Sequence, residues 1–488
     1  MNFFGYEEQL DDIIDWFKWY ILAGLILFGF ILRVLYLGYD SMWIDETISA
    51  VVASGILQYG FPILDSGAIY DRSFIFHYVM AFFMMLFGEN DFGARFISVI
   101  LGIFTIMLAY FLGRKLSNNN FVGLTFAFFI TFSAIEIIYS QQARFYQGFQ
   151  LFYFLSFFLF YKLFILRETI FNNQLLDFIV FGLSLFLAIH LQFMGIIMLP
   201  LFFLVLIITH FDQIHDFLNT RGFYLGLSVS VAIFGYMLYK LWNQFNYESL
   251  SQVFFYASLY TSYYFEYFPI LIFAIIGLAV ALIYDDTKLH LSFAIYALVP
   301  FFGLFFIDAF ATRYVYYLLF FLFFYVAFLL SRLKGKFLIT FILVLFFTPT
   351  VFSFEPIEQP RFDQSMPQAD FKEAYEYVSK EYPQFPLVTT WAPAAVWYYE
   401  KPQYWIKYSV GGKSNEGWTT FDKGDIEIER FSGAHIARDF RDIEPYLFVL
   451  TLDAQAERKL SNDLKRQIYS SCEIKQEYFN IKVMKCKK

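Results

Sequence analysis

The sequence predicts a polytopic α-helical membrane protein that carries a C-terminal α/β domain outside the membrane. Hydrophobic residues make up 59% of the 488 positions and charged residues only 16%, whereas a soluble chain carries about 25% charged residues. Apolar runs of roughly 17–22 residues, long enough to cross a bilayer, recur through residues 17–353. After Phe354 the composition changes abruptly to that of a water-soluble domain.

The apolar runs, taken in order, predict about eleven spanning helices. They cover residues 17–37, 92–113, 120–139, 146–167, 174–190, 194–210, 222–242, 265–284, 288–307, 314–332 and 337–353. The run at 74–87 has only about 14 residues, which is short for a span, so we expect an interfacial or re-entrant helix in the first outer loop. With the N-terminus in the cytoplasm, this arrangement leaves most Lys and Arg residues in the inner loops, in agreement with the positive-inside rule.

The chain is therefore expected to contain a transmembrane module at residues 1–353, a proline-containing linker at 354–367 and an extracytoplasmic α/β domain at 368–488. Within the last domain, helical spacing at 369–382 and 454–471 alternates with strand-like runs at 386–391, 446–452 and 473–485. A hairpin that turns near Phe479 would bring Cys472 nearly opposite Cys486. An oxidising compartment permits a disulfide there, but two free thiols fit the sequence equally well.

Net charge, the first apolar run and the cysteines lead to expectations about partners, location and cofactors. The net charge of −8 gives no support for nucleic acid as a partner. The first apolar run lacks a cleavage site, so we expect it to remain as a signal anchor in the cell (plasma or inner) membrane. The two cysteines do not have the spacing of a zinc site, and we expect no cofactor.

Asp45 and Glu46 follow Trp43 just beyond the first predicted span, and they open a predicted amphipathic helix at residues 47–57. In one interpretation these acids cap the helix and complement its dipole, with no further function. In the other, one carboxylate lies at the mouth of a helix-lined cavity and removes a proton from an incoming hydroxyl group. The local sequence leaves both interpretations open.

Three arginines, Arg72, Arg144 and Arg313, fall at predicted outer helix ends, where the orientation rule does not require them. An arginine at such a position can extend to lipid head groups. Several guanidinium groups on the face that holds Asp45 and Glu46 also suit a phosphate, which Arg binds through several donors. The combination indicates a lipid-linked phosphate substrate and a carboxylate base.

Four stretches, in order along residues 15–330, carry a family resemblance. They are Trp43-Ile44-Asp45-Glu46, then Tyr70-Asp71-Arg72-Ser73 with Leu86-Phe87-Gly88-Glu89-Asn90-Asp91-Phe92-Gly93-Ala94-Arg95, then Tyr139-Ser140-Gln141-Gln142-Ala143-Arg144-Phe145-Tyr146, and finally Arg313-Tyr314. In this order and spacing, the chain resembles the C-type glycosyltransferase superfamily. Within it, the resemblance is to the branch of the protein O-mannosyltransferases and the lipid A aminoarabinose transferase.

The resemblance implies an inverting glycosyltransferase that moves a sugar from a polyprenyl-phosphate donor to a hydroxyl group of a glycan, lipid or protein acceptor. The transfer is expected on the outer face of the membrane. By this resemblance Asp45 is the expected general base, and Glu46 orients Asp45 or the acceptor. The residues expected to bind the donor phosphate are Arg313 first, then Arg144, Arg72 and Tyr314. Candidates to line the sugar pocket are Tyr146, His77, His190 and Gln192.

One departure from the family pattern concerns metal binding. The family usually has an acid before Ala-Arg in its second outer loop, where this chain has Gln142. An amide is a poor ligand for a divalent metal and cannot act as a base, so we expect no metal. Glu136 lies nearby in sequence and would replace the missing acid only in part.

Two other classes of function remain as alternatives to a transferase. A transporter or flippase of lipid-linked glycans would show paired half-helices and polar residues at mid-bilayer depth. This sequence instead gathers its ionisable residues towards one face. A non-catalytic surface-assembly protein would use the C-terminal domain to bind a polymer.

Overall fold

The computed structural model describes residues 3–170, 172–209, 228, 235, 250–265, 267–306, 312–347, 351–355, 369–407, 419–423 and 426–488. Almost all of the predicted span at 222–242 and most of the linker at 354–367 lie outside these residues. The chain forms two compact units. The first comprises Met1–Arg33, Ile100–Ser140 and Phe145–Pro356, and the second comprises Val34–Val99, Gln141–Arg144 and Ile357–Lys488.

Most predicted apolar runs contain a helix, and the first helix is longer than its run, since it begins at Phe3. The helices of the apolar part cover Phe3–Val34, Ile44–Tyr59, Phe74–Phe87, Asp91–Ser117, Asn120–Phe132, Ala134–Ser140, Tyr146–Phe160, Gln174–Leu191, Met198–Thr209, Leu250–Phe265, Phe268–Tyr284, Thr287–Gly303, Leu318–Ser331 and Lys336–Phe347. The run at 120–139 is not one helix, because Ser133 is extended (φ −62°, ψ 121°) and bridges to Phe352. A 3-10 turn, Phe193–Ile197, precedes the Met198–Thr209 helix.

Within the described residues, four helices combine the length and the hydropathy of a membrane span: Asp12–Val34, Asp91–Ser117, Tyr146–Ile165 and Gln174–Leu191. Shorter apolar helices accompany them, and the expected short helix of the first outer loop is one of these, Phe74–Phe87. The chain is thus mostly helical with several apolar helices, while the number of about eleven spans stays a prediction.

Aromatic side chains form much of the interior of the first unit. Every residue from Leu318 to Leu330 is buried. Phe320 of this helix stacks on Phe154 with ring centres 4.5 Å apart and meets the edge of Phe126 at 4.6 Å. The abundance of phenylalanine therefore serves internal packing between helices as well as any contact with lipid.

The C-terminal part of the second unit contains an eight-stranded sheet, with strands in the order β3-β4-β5-β2-β1-β6-β8-β7. The strands are β1 Leu387–Thr389, β2 Tyr404–Ile406, β3 Thr420–Lys423, β4 Ile426–Glu429, β5 His435–Ala437, β6 Leu447–Asp453, β7 Cys472–Tyr478 and β8 Ile481–Lys487. The central strands β5, β2, β1 and β6 are parallel, and the remaining pairs are antiparallel. This is the C-terminal α/β structure that the sequence predicts.

Two details of this sheet region decide points that the sequence left open or predicted wrongly. The β7–β8 hairpin aligns Cys472 with Cys486, and the two cysteines form a disulfide. The run at 454–471 is two helices, Ala454–Lys459 and Asn462–Ser471, because the Ser461 hydroxyl accepts the Leu464 N–H and starts a new helix.

Residues that follow the first apolar helix pack against the C-terminal sheet structure inside the second unit. The Trp391 indole N–H donates to the Thr47 hydroxyl at 3.1 Å. The indole N–H of Trp397 and the hydroxyl of Tyr398 both donate to the Asp91 carboxylate, at 2.8 and 3.1 Å. The first of these bonds holds the start of the Ile44–Tyr59 helix, and the other two hold the start of the Asp91–Ser117 helix.

Candidate active site

The site begins where Trp43 leads into the Ile44–Tyr59 helix. Trp43 is the N-cap residue and is extended (φ −79°, ψ 170°). Its backbone N–H donates to Glu46 Oε2 at 3.2 Å, so Glu46 caps the helix from the N3 position. The capping interpretation of this acidic pair is therefore correct for Glu46.

Glu46 also forms a buried, bidentate ion pair with Arg95. Arg95 Nε lies 2.9 Å from Glu46 Oε1 and Arg95 Nη2 lies 3.0 Å from Oε2, and neither side chain is exposed to solvent. The remaining donors of Arg95 bond to backbone carbonyls of the turn before the helix, those of Leu37, Asp40 and Ser41. A planar guanidinium suits this fork geometry, which a lysine would not reproduce.

The same glutamate binds the turn Gln141–Arg144. The Ala143 N–H donates to Glu46 Oε1 at 2.6 Å. Each oxygen of Glu46 therefore accepts two hydrogen bonds. Both oxygens of Glu46 are therefore buried and engaged, and the side chain links the Trp43 turn, Arg95 and the Gln141–Arg144 turn.

Asp45, in contrast, points partly towards solvent, with its side chain 20% exposed. Its Oδ2 lies 3.7 Å from Arg144 Nη2. Arg144 is held by two bonds from Nη1, to the Asp45 carbonyl at 3.2 Å and to the Ser49 hydroxyl at 2.8 Å. The arrangement presents an accessible carboxylate beside an ordered cation at a helix N-terminus, a setting that favours negative charge.

Two other predicted site residues also belong to the second unit. Arg72 is exposed. His77 is fully buried and meets the rings of Tyr70 and Phe76 edge-on, at 5.5 and 5.7 Å. His77 is therefore a packed aromatic neighbour, and its expected role in a sugar pocket stays a prediction.

The remaining predicted site residues belong to the first unit. The Arg313 guanidinium lies 5.4 Å from the centre of the Tyr314 ring, a cation–π contact. Tyr146 is buried, and its carbonyl accepts a hydrogen bond from the Tyr316 hydroxyl at 2.7 Å. His190 stacks on Phe186 at 5.7 Å, and Gln192 is 8% exposed.

Glu136 has local partners inside the first unit. Its Oε1 accepts the Gln150 amide N–H at 2.7 Å, and its backbone carbonyl accepts the Ser140 hydroxyl at 2.6 Å. Arg33 donates to the same Ser140 oxygen at 3.0 Å. Glu136 is thus part of a buried polar network of that unit, whereas Gln142 belongs to the second unit.

Arg95 and Ser49 are the residues of this site whose roles the sequence did not reveal. In the sequence, Arg95 is recognisable only as the last residue of a family motif that ends in Ala94-Arg95. Its helix follows the Gly88-Glu89-Asn90 turn, in which the Asn90 amide oxygen accepts the Gly93 N–H at 2.9 Å. Nothing in the spacing of residues 46 and 95 shows that their side chains meet.

In the described ranges no group of three or more His, Cys, Asp or Glu side chains lies close enough to hold a metal ion. The expectation of a metal-free site stays a prediction, which rests on the amide side chain of Gln142.

Known proteins share parts of this sequence and its fold. The family model of the dolichyl-phosphate-mannose-protein mannosyltransferases matches residues 71–242. An uncharacterized protein of Aquifex aeolicus is 27% identical over 145 residues, which are 29% of this chain and 29% of that protein.

Two solved structures have the same fold at low sequence identity. ArnT from Cupriavidus metallidurans, bound to undecaprenyl phosphate, matches with a TM-score of 0.61 and 13% identity, over 96% of this chain and 98% of that one. The oligosaccharyltransferase AglB from Archaeoglobus fulgidus, in complex with an inhibitory peptide and a dolichol-phosphate, matches with a TM-score of 0.53 and 11% identity. That match covers 78% of this chain and 63% of AglB. The resemblance to the C-type glycosyltransferase superfamily is confirmed by these matches.

Proposed function

We propose that this chain transfers a sugar from a polyprenyl-phosphate donor to a hydroxyl group of an acceptor, on the outer face of the membrane. Asp45 is the general base of this transfer and Glu46 is its positioning residue. The observation that carries the proposal is the pairing of an accessible Asp45 carboxylate with the ordered guanidinium of Arg144, 3.7 Å away. A fold shared with ArnT over nearly the whole chain supports the reaction class.

The reaction is an inverting displacement at the anomeric carbon. The acceptor oxygen forms the new bond to that carbon while Asp45 takes the hydroxyl proton. The bond from the anomeric carbon to the phosphate oxygen breaks on the opposite side, and its electron pair leaves with the polyprenyl phosphate. Such a leaving group needs no proton when cations stabilise the developing charge.

Arginine residues supply those cations in this proposal. Arg144 lies beside Asp45 and is fixed by the Ser49 hydroxyl and the Asp45 carbonyl. The donor phosphate is bound in addition by Arg313, Tyr314 and Arg72. The prenyl tail stays in the lipid while the charged head reaches the site, which agrees with the apolar helices of the chain.

The test replaces Asp45 by the isosteric amide. Cells that lack the protein are complemented with wild-type, Asp45→Asn or Asp71→Asn chains, and their surface glycans are compared by mass spectrometry. Loss of a general base typically lowers a rate by about 10²–10⁴-fold, so Asp45→Asn should abolish a sugar that the wild-type chain restores. Asp71 is an exposed acid of the same loop, so Asp71→Asn serves as the matched control.

Two results would contradict the proposal. Restoration of the sugar by Asp45→Asn, at equal abundance in the membrane by immunoblot, would show that Asp45 is not the base. A flippase would tolerate the substitution in this way. If cells with and without the protein carried identical glycans, a non-catalytic role in surface assembly would replace the transferase.

A further inference from the structure

A polar cavity of about 350 Å³ lies inside the second unit, along the C-terminal half of the Ile44–Tyr59 helix. Its volume falls in the range of about 300–1,000 Å³ that is usual for small-molecule sites. A smaller cavity of about 210 Å³ shares Asp65 and Lys401 with it and continues towards His435 of β5. No residue of the candidate active site lines either cavity.

The walls of the larger cavity come from four parts of the second unit, one of which is Glu89 after the Phe74–Phe87 helix. One wall is the Ile44–Tyr59 helix itself, and another is the loop that holds Asp65. The loop lies directly on the helix because Gly55 has no side chain: a Cβ there would collide with the Ile63 carbonyl. The third wall is the Ala392–Tyr398 helix with Lys401 beyond its end.

The lining has the chemistry that recognises a polyol. Gln58 and Ser54 offer amide and hydroxyl groups on one side, joined by a 3.3 Å hydrogen bond, and Glu89 and Asp65 offer carboxylates. These groups both donate and accept hydrogen bonds, as the hydroxyl groups of a sugar require. Mixed donors and acceptors at several positions orient such a ligand.

Trp397 adds a rigid aromatic surface to this cavity. Its indole N–H donates to Asp91 Oδ1 at 2.8 Å, so the ring is held in one orientation while it lines the cavity. Aromatic residues offer a large apolar face together with a polar edge. A rigid indole beside several polar groups therefore suits the apolar face and the hydroxyl rim of a sugar ring.

The charges of the lining favour a neutral ligand over an acidic one. Asp65 and Glu89 place two carboxylates in the cavity against the single ammonium group of Lys401. A uronic acid or a phosphate would meet this negative excess at close range. Like charges held close together destabilise a complex.

The position of the cavity connects it to the proposed chemistry. Val51 and Gln58 of the lining lie on the same helix as Asp45, and at 1.5 Å per residue they are about 9 and 20 Å further along the axis. A ligand in the cavity is therefore too distant to be the reacting group. It would belong to another unit of an extended acceptor whose hydroxyl group reaches Asp45.

From these observations we infer that the cavity binds a neutral sugar unit of an acceptor glycan. The inference rests on the proposed glycosyltransferase function and names the class of its acceptor.

Saturation-transfer NMR on the purified full-length protein in nanodiscs tests this inference. The probe is an equimolar mixture of the methyl glycosides of glucose, galactose, mannose, N-acetylglucosamine and glucuronic acid. We expect transfer to at least one neutral glycoside. We also expect at least a threefold loss of that signal in the Gln58→Ala/Glu89→Ala variant, whose altered side chains are both exposed and line the cavity.

A matched control removes one glutamine and one glutamate elsewhere. Gln476 and Glu477 are exposed on β7 at the edge of the sheet, so Gln476→Ala/Glu477→Ala should keep the full signal. The inference is overturned if no neutral glycoside receives saturation, if only the glucuronide does, or if the signal survives in the cavity variant.

The outcome is separable from that of the proposed function. Asp45→Asn should lose sugar transfer in cells and yet keep glycoside binding, because Asp45 does not line the cavity. If the protein binds a glycoside but its Asp45→Asn variant still transfers sugar, Asp45 is not the general base, whereas the inference about the cavity stands. If sugar transfer depends on Asp45 but the protein binds no glycoside, the proposed base stands and the inference about the cavity is wrong.

Discussion

The second unit buries two glutamates in different ways, one in the candidate active site and one in the C-terminal sheet. Glu46 faces a guanidinium, with both oxygens bonded to Arg95 and to backbone N–H groups. Glu429, at the end of β4, accepts hydrogen bonds from neutral donors: the N–H groups of Phe431 and Ser432 at 3.0 and 2.7 Å and the Ser432 hydroxyl at 2.6 Å. The positive charge of Lys401 offsets part of the cost of its burial. Burial raises the pKa of Glu429 from 4.5 to about 7.

The difference shows what a buried carboxylate needs in order to hold a site together. A buried carboxylate whose hydrogen bonds come from neutral N–H and O–H groups gains a proton readily, because burial penalises its charge. A carboxylate paired with a buried arginine holds that arginine in place as well. Glu46 thereby joins the Trp43 turn, the Asp91–Ser117 helix and the Gln141–Arg144 turn around Asp45.

The largest expected effect follows from breaking the charged pair. Glu46→Gln leaves the Arg95 guanidinium buried without its counter-charge, and breaking a buried pair in this way costs about 3–5 kcal/mol. Glu429→Gln keeps one oxygen for the Ser432 N–H and hydroxyl and loses the bond from the Phe431 N–H, so its cost at pH 7 should be about 1 kcal/mol. Thermal unfolding in nanodiscs, followed by tryptophan fluorescence, measures both.

The exposed Glu477 of β7 provides the reference substitution, since Glu477→Gln changes one charge away from both clusters. Equal losses of unfolding temperature for Glu46→Gln and Glu429→Gln would contradict the distinction between the two glutamates.

A second prediction concerns the cation beside Asp45. Arg144→Lys keeps the charge but cannot hold the Asp45 carbonyl and the Ser49 hydroxyl with the geometry of a guanidinium. Under the proposed function, sugar transfer should fall about tenfold, with a loss of stability of about 1 kcal/mol. Initial rates of transfer and the unfolding temperature separate the two effects.

Arg466 is exposed on the Asn462–Ser471 helix, and Arg466→Lys is the control for this prediction. An unchanged transfer rate in Arg144→Lys would mean that Arg144 balances charge without positioning Asp45.

The third prediction is a dependence of stability on pH. Because the pKa of Glu429 is raised from 4.5 to about 7, the folded chain keeps a proton there that the unfolded chain has lost. The contribution of this group to the free energy of unfolding therefore decreases as pH rises from about 4.5 to about 7. Unfolding temperatures of wild type and Glu429→Gln across this range test the sign, since the variant should lose this component of the slope. A slope that does not differ between the two chains would show that Glu429 titrates alike in both states.

The helix limits and the C-terminal hairpin could be predicted because their signals are local. The apolar run at 74–87 is the Phe74–Phe87 helix, and the two cysteines face each other across β7 and β8. The break at Ser461 also had a local signal, a serine positioned to cap the next helix. The break at Ser133 had none, because it depends on Phe352, which is distant in sequence.

The candidate site, too, could be predicted only in those features that have a local signal in the sequence. The acidic pair at the start of a helix was visible in the sequence, and so was the arginine of the turn Gln141–Arg144. The division of labour between Asp45 and Glu46 was not, because adjacent residues on a helix point in different directions and only the surroundings decide which one is buried. Arg95 supplies those surroundings for Glu46, and Arg144 supplies them for Asp45.

By itself, then, the sequence determined the class of fold and the segments that hold ionisable groups, since apolar length and charge position are properties of the chain. Tertiary structure alone decided that Glu46 is the buried anchor and Asp45 the accessible acid. The reason is electrostatic: a carboxylate is stable in the interior only where donors from distant segments converge on it. That convergence at Glu46 leaves its neighbour Asp45 at the surface beside Arg144.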